Sequence, residues 1–250
     1  MIDTHAHIDD PQYAEHFDEF ILAQQQAGVT AILVPGVELE SLTTVPAVCA
    51  RYLGYLFPAI GLHPENVGPD YRQVLAEMEN ALPAQPWIAV GEIGLDYHFD
   101  VTYKAEQQDA FRTQLQWAVD HNLPVMIHSR DATEDCLGIL REFPVRGVMH
   151  CYSGSYETAK QILDLGLYLG IGGVLTFKNC HLRDTLARIP LASLLLETDA
   201  PYMAPVPLRG QRNESRYMIH VVNMLADIYC TTPDGIDAIT TANARQLFAI

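Results

Sequence analysis

Two histidines stand one residue apart near the start of the chain, in Asp3-Thr4-His5-Ala6-His7. Alternate side chains on a strand share a face, so His5 and His7 point the same way, with Asp3 behind them. Two neutral imidazoles side by side bind a divalent metal. A lone His-x-His is about as often a pair of polar residues near a loop, so further ligands must decide. Four more metal-capable side chains follow, each at the C-terminal end of a different strand-like run. Glu92 follows WIAVG, His128 follows PVMI, His150 follows VRGVM and Asp199 follows LLLET. His16, His98, His121, His181 and His220 fall outside such positions and are read as surface or structural residues. Six ligands exceed what one tetrahedral ion uses, so two divalent ions are the economical expectation. Two adjacent cations need an anionic bridge. The only lysines, Lys104, Lys160 and Lys178, lie at no ligand position, which leaves Glu92 to bridge. His5, His7 and Asp199 then hold one ion, His128 and His150 the other, with Glu92 shared.

The elements that must position these residues are short apolar or β-branched runs alternating with helical patterns. Strands are predicted over 1–7, 30–37, 55–63, 87–96, 124–129, 145–153, 167–177 and 192–200. A helix is predicted over 13–27, with Phe17, Phe20, Ile21 and Gln24 on one face and Gly28 as its stop. Another covers 104–121 before Pro124, and Thr232-Pro233 opens a last one. Alternation implies parallel strands with helical crossovers, and eight units predict a closed (β/α)₈ barrel of the TIM type, one α/β domain over residues 1–250. In a barrel the C-terminal strand ends converge on one face, which brings the six ligands together. An open doubly wound sheet would carry a Gly-rich phosphate loop after the first strand, and none is present. Gly172-Gly173 is read as a bulge or turn, and 201–213 as a loop over the site.

Composition sets limits on the partners. The chain has 250 residues, 49% of them hydrophobic and 18% charged, and a net charge of −16. That charge argues against salt-driven binding to the outside of a duplex. Residues 1–50 contain no lysine or arginine, while 205–216 holds Arg209, Arg212 and Arg216 against Glu214 alone. An anionic substrate would need that local cluster, bound metal, or both. Alone, three such arginines read as a solvated loop. The five scattered cysteines read as free thiols in a cytoplasmic protein, and no segment reads as a signal peptide or membrane span. No obligatory protein partner is expected; the chain reads as a monomer.

The order DTHAH (3–7), GLHP (61–64), GEIGLDY (91–97), IHSRDA (127–132), HCYSG (150–154), TDAPY (198–202) and RGQRNES (209–215) resembles the TatD-type metal-dependent hydrolases and deoxyribonucleases, among the amidohydrolase-like barrels. The resemblance spans essentially the whole chain and implies the same six metal ligands. It further implies that His63, Tyr97, Arg130 and the Arg212-Asn213 loop face the substrate. Where the family usually has Lys and Pro in its last loop, this chain has Gln211 and Ser215, and Tyr152 stands where Phe is common. The implied reaction is hydrolysis of DNA phosphodiesters at single strands or strand ends, as a 3′–5′ exonuclease. Two ions (Mg, Mn or Zn) would acidify a water from a pKa of 15.7 towards about 7. Asp199 is the expected proton acceptor, and Arg130, Arg209 and Arg212 the expected phosphate contacts. Rival readings keep the metals but cleave a carbonyl ester or amide, as in removal of D-amino acids from tRNA, or cleave small phosphoesters. A metal-binding scaffold protein is the non-enzymatic rival. His63 is read as substrate-facing or as standing behind a ligand, and Cys151 as a packed thiol. Glu197 shares the face of Asp199, where it orients a ligand, bonds substrate or serves the fold.

Overall fold

A computed structural model describes all 250 residues. Its strands are β1 (Ile2–Asp3), β2 (Ala31–Val34), β3 (Leu56–Ile60), β4 (Ala89–Asp96), β5 (Val125–Arg130), β6 (Gly147–Met149), β7 (Tyr168–Ile171) and β8 (Leu194–Leu196). They form one parallel sheet in chain order. A parallel bridge between Ala6 and Ala200 closes it into the TIM-like barrel. Around it lie α1 (Phe17–Gln26), α2 (Ser41–Cys49), α3 (Tyr71–Ala81), α4 (Lys104–Asp120), α5 (Thr133–Leu140), α6 (Tyr156–Asp164), α7 (Leu182–Leu186), α8 (Met218–Ile228) and α9 (Pro233–Phe248). None is long and apolar enough to cross a membrane.

Side-chain alternation separates two cores. Ile2, Ala31, Leu33, Ala59, Met126, Val148 and Leu195 point into the barrel with Ala89, where Leu247 and Phe248 of α9 close its lower end. Their neighbours Ile32, Ile60, Val90, Ile127, Met149 and Leu196 point outward into the larger core under the helices. The inward faces continue upward. Two residues beyond Met126 stands His128, two beyond Val148 stands His150, and two beyond Leu195 stands Glu197.

Strand β4 is the exception. Ala89 points inward, so strict alternation would send Glu92 outward with Val90. The register against β5 instead shifts between Val90 and Ile93. A bulge of this kind re-aims the residues after it. Ile93 and Leu95 join the outer core, and Glu92, Gly94 and Asp96 turn inward. Gly94 holds φ +146°, and a Cβ there would lie 1.9 Å from the His128 carbonyl oxygen. Only glycine lets β4 and β5 pass so closely.

Several predicted boundaries shift. Regular strand covers 2–3, 168–171 and 194–196 rather than 1–7, 167–177 and 192–200, because the chain past each strand curls over the barrel mouth. Gly172-Gly173 starts a 3₁₀ turn rather than a bulge, and a Cβ on Gly173 would sit 2.0 Å from the Met203 carbonyl oxygen. Helix α1 starts at Phe17 instead of Tyr13, since Pro11–Tyr13 forms its own 3₁₀ turn and His16 takes a left-handed φ of 57°. Its buried face is the one the spacing predicts: Phe17, Phe20, Ile21 and Gln24. Thr232 caps α9 by accepting from the Gly235 N–H at 3.1 Å.

Candidate metal centre

Glu92 lies at the middle of the barrel mouth, 3% exposed. Its Oε2 is 3.1 Å from His5 Nε2 and 3.4 Å from His7 Nε2. Its Oε1 is 2.8 Å from His150 Nε2 and 2.9 Å from His128 Nδ1. Asp199 closes the first side, with Oδ1 3.5 Å from His7 Nε2 and 3.8 Å from His5 Nε2. The structure thus gathers all six predicted ligands around one carboxylate, one oxygen toward each group of histidines.

The donor set fits divalent ions on its own chemistry. His5 Nε2 and His7 Nε2 face each other at 3.2 Å, and His128 Nδ1 faces His150 Nε2 at 3.3 Å. Bare lone pairs repel at such distances, so each pair must share a proton or a cation. Imidazole and carboxylate donors together suit Zn²⁺ or Mn²⁺. Without an ion, protons take that role. Burial works against charge on His7, but its hydrogen bonds to Asp199 and Glu92 outweigh this and push its pKa up to about 10. The same contest on His128, won by Asp96 and Glu92, pushes it up to about 9. Burial and the nearby His150 push His5 down to about 4. Burial would raise Glu92 and Asp199, yet the surrounding histidines hold both below the usual carboxylate range.

Three acidic residues stand behind the ligands. Asp96 Oδ2 lies 2.9 Å from His128 Nε2. That contact fixes the proton on Nε2 and turns the Nδ1 lone pair toward Glu92. Asp3 is fully buried; its Oδ1 accepts from the His5 and Thr198 N–H groups and its Oδ2 from the Thr198 hydroxyl at 2.6 Å, tying the two ligand-bearing ends together. Glu197 Oε1 lies 3.8 Å from His150 Nδ1 and accepts from the Cys151 N–H. Burial pushes its pKa up to about 8. A Cβ on Gly170 would lie 2.1 Å from its other oxygen, so that glycine makes its room. Asp199 adopts φ 58°, a left-handed geometry that Asp tolerates better than most residues. The Cys151 thiol is raised well above its ordinary value by burial and the carboxylates of Asp199 and Glu197, so it is no thiolate nucleophile.

The residues expected to face substrate divide. His63 Nε2 is 3.4 Å from Glu92 Oε1, inside the cluster. Its Nδ1 accepts from the Glu65 N–H at 3.1 Å, which turns Nε2 toward Glu92 and places His63 with Glu92 and His128 in a third metal-capable group. Arg130 shares the inward face of His128 and is exposed at the mouth, its guanidinium 4.7 Å from the Phe99 ring. Arg209 lies 3.8 Å over Phe177 on the β8 loop. The other three turn elsewhere. Tyr97 falls one residue past the inward Asp96, and its hydroxyl lies 3.0 Å from Asp135 Oδ2, between α4 and α5. Arg212 donates to the Gln12 carbonyl and packs 4.5 Å over the Tyr13 ring, on the outer flank against α1. Asn213 is fully buried and donates to the Thr198 and Tyr202 carbonyls at 2.8 and 2.7 Å, pinning the loop that carries Asp199.

Reading the residues one by one misses Asp96, although it lies in the same GEIGLDY segment as Glu92. The signal for it is the spacing 92, 94, 96, which puts it on the face of Glu92 once the bulge is passed.

Residues 2–249 match the model of the TatD related DNase family. The chain belongs to that family. YabD of Bacillus subtilis, an uncharacterized metal-dependent hydrolase, is 38% identical over 254 residues, covering 100% of this chain and 99% of that protein. The 3′–5′ ssDNA/RNA exonuclease TatD of Klebsiella pneumoniae is 33% identical, covering 100% and 98%. The crystal structure of YjjV, a TatD homolog from Escherichia coli K12, superimposes with a TM-score of 0.94 at 34% identity, over 100% and 98% of the two chains. This TatD-family protein is a metal-dependent hydrolase, and the His/Glu/Asp clusters at its barrel mouth are suited to hold the metal.

Proposed function

We propose that this protein is a nuclease that removes nucleotides from the ends of single-stranded DNA, working with two divalent ions. The observation that carries the two-ion reading is the central Glu92 carboxylate, with one oxygen toward His5 and His7 and the other toward His128 and His150. His5, His7 and Asp199 would hold one ion, His128 and His150 the other, and Glu92 both. Such ions acidify water and stabilise charge on phosphoryl oxygens. The nuclease reading draws its support from the exonuclease relative and from Arg130, which stands exposed above His128 with a guanidinium suited to a phosphate.

Within this scheme a water oxygen adds to phosphorus and the bond to the departing sugar oxygen breaks. Asp199 takes the proton that the water loses and passes it on to the departing oxygen. Its carboxyl is held below the usual carboxylate range by the surrounding histidines in the metal-free site, and a bound cation in their place would keep it ionised in the same way. His63 donates toward Glu92 or an incoming phosphate oxygen, and Asp96 and Glu197 keep His128 and His150 in place.

The test is turnover of end-labelled single-stranded DNA, duplex DNA and a carboxylic ester by the wild type and Asp199→Asn at saturating Mg²⁺, Mn²⁺ and Zn²⁺. The expected result is cutting of single strands from an end, with kcat lower by about 10²–10⁴-fold in the variant at full metal occupancy. Recovery of the rate by excess metal would make Asp199 a ligand only. Ester hydrolysis without DNA cleavage would overturn the nuclease reading.

A further inference from the structure

The barrel mouth is electrically lopsided. A cleft of about 510 Å³ opens beside Glu92, floored by His7 and His63, and no lysine or arginine lines it. Its walls carry Asp9, Asp10, Glu38, Glu40 and Glu65, and Tyr202 stands at its edge. All but Glu65 and Tyr202 come from the first fifty residues, the stretch without a lysine or arginine. Glu38, Glu40 and Glu65 are exposed to solvent. Past β4 a cation and an aromatic ring stand together, Arg130 with the 73%-exposed Phe99, beside the exposed carboxylates of Asp100 and Asp131. Arg130 offers a strand the phosphate contact that the cleft lacks, and Phe99 a ring for a base to stack on. The strand cannot continue through the cleft without setting phosphate against carboxylate.

Resting on the nuclease reading, we propose that the acidic cleft is the subsite for the one terminal nucleoside being removed, and that it selects a strand end bearing a free hydroxyl. The volume lies in the range that holds a small organic ligand. A nucleoside beyond the scissile phosphate is uncharged. Its hydroxyl and base amino groups are donors, which carboxylate acceptors match. The Tyr202 ring, 55% exposed and 6.3 Å from that of His7, offers the base a stacking face. A terminal phosphate has only acceptors to present and carries a charge of roughly −1.5 to −2 at neutral pH, so the carboxylates repel it. Selection of ends thus follows from charge, with no need for a wall that blocks the strand.

The experiment compares kcat/KM for one single-stranded oligonucleotide ending in a 3′-hydroxyl, a 3′-phosphate or a 3′-amine, with wild type and Glu38→Gln/Glu40→Gln at saturating metal. The substituted residues lie on an exposed loop and keep their shape. The hydroxyl end is expected to be cut at least about tenfold faster than the phosphate end by the wild type, and the amine at least as fast as the hydroxyl. In the double variant that ratio is expected to fall at least about threefold, the scale of two exposed charge interactions. Equal rates on hydroxyl and phosphate ends, or a ratio the substitutions leave unchanged, would overturn the subsite while leaving the nuclease reading intact. An amine end cut as slowly as the phosphate end would remove charge as the basis of selection and overturn the subsite. Failure to cut any of the three would remove the nuclease reading itself, and the subsite with it.

Discussion

The lower and upper halves of this barrel are built on the same inward faces and do opposite things. Below, Leu33, Met126, Val148 and Leu195 pack without polar atoms and are sealed by α9. Above, two residues further along, β5, β6 and β8 lead into His128, His150 and Glu197. The lower layer gains from hydrophobic burial, which is insensitive to small displacements. The upper layer turns ring nitrogens and a carboxylate oxygen toward one another at 3.1–3.3 Å, which is tolerable only when a cation or proton sits among them. The lower half therefore supplies the stability that holds the upper half in an arrangement unfavourable by itself.

The strongest way to break this division is Glu92→Ala. It leaves the histidines without their shared anion, so bound metal is expected to fall below the wild-type level and activity to be lost, by elemental analysis and turnover. In the metal-free protein Glu92 pairs with the protonated His7 and His128, so the metal-free variant is expected to melt below the metal-free wild type at neutral pH, with the difference shrinking as pH rises and the rings lose their protons. Unchanged metal content and rate would remove Glu92 from the site. Leu195→Ala is the reverse probe. Truncating a fully buried leucine in the lower layer is expected to cost about 2–5 kcal/mol of stability, read from denaturant midpoints, with metal affinity per folded molecule unchanged.

How far the sequence reveals each half depends on what sets the direction of a side chain. Strand alternation is a local rule, so His5 with His7, the inward face of β5, and the rhythm of eight strands are legible in the order of residues alone. The aim of Glu92 is not local. It depends on the register shift between Val90 and Ile93, which only pairing with β5 fixes. The same shift explains why Asp96 faces the site while its neighbour Tyr97 turns toward α4 and α5. Loop residues carry still less local information. Arg212 and Asn213 look alike as polar members of one basic loop, yet one ends exposed on aromatic rings and the other fully buried under the β8 loop.

A finer probe of the upper half is Asp96→Asn. The amide keeps the shape but no longer fixes the His128 proton on Nε2, and the Nδ1 lone pair loses its assigned direction. Metal affinity is expected to drop about 10–100-fold, measured by competition with a chelator, while the fold persists. The pH dependence sharpens the same point. In the metal-free protein the His7 and His128 pKa values lie at about 10 and about 9, so both rings are protonated at neutral pH. Metal must displace those protons. Wild-type affinity is expected to rise as pH climbs from 6 toward 9, with proton release detectable by calorimetry in buffers of different ionisation enthalpy. Loss of the Asp96 charge lowers the His128 pKa, so the variant's affinity is expected to rise less steeply over that range.

The smallest expected effect comes from Arg212→Ala, which tests whether the basic loop takes part in the upper half at all. The side chain lies 4.5 Å over Tyr13 and 5.9 Å from Phe20, and its Nη2 is 3.3 Å from Glu214. Those contacts face α1 rather than the barrel mouth. An exposed cation over an aromatic ring is worth about 0.5–1 kcal/mol, so the variant is expected to melt roughly 1–4 °C lower. Since no phosphate contact is removed, KM for single-stranded DNA is expected to stay within about twofold and its salt dependence to keep the same slope. A tenfold higher KM with a flatter salt slope would show that Arg212 leaves Tyr13 to meet the strand, and would extend the proposed substrate-binding surface from Arg130 across to the β8 loop.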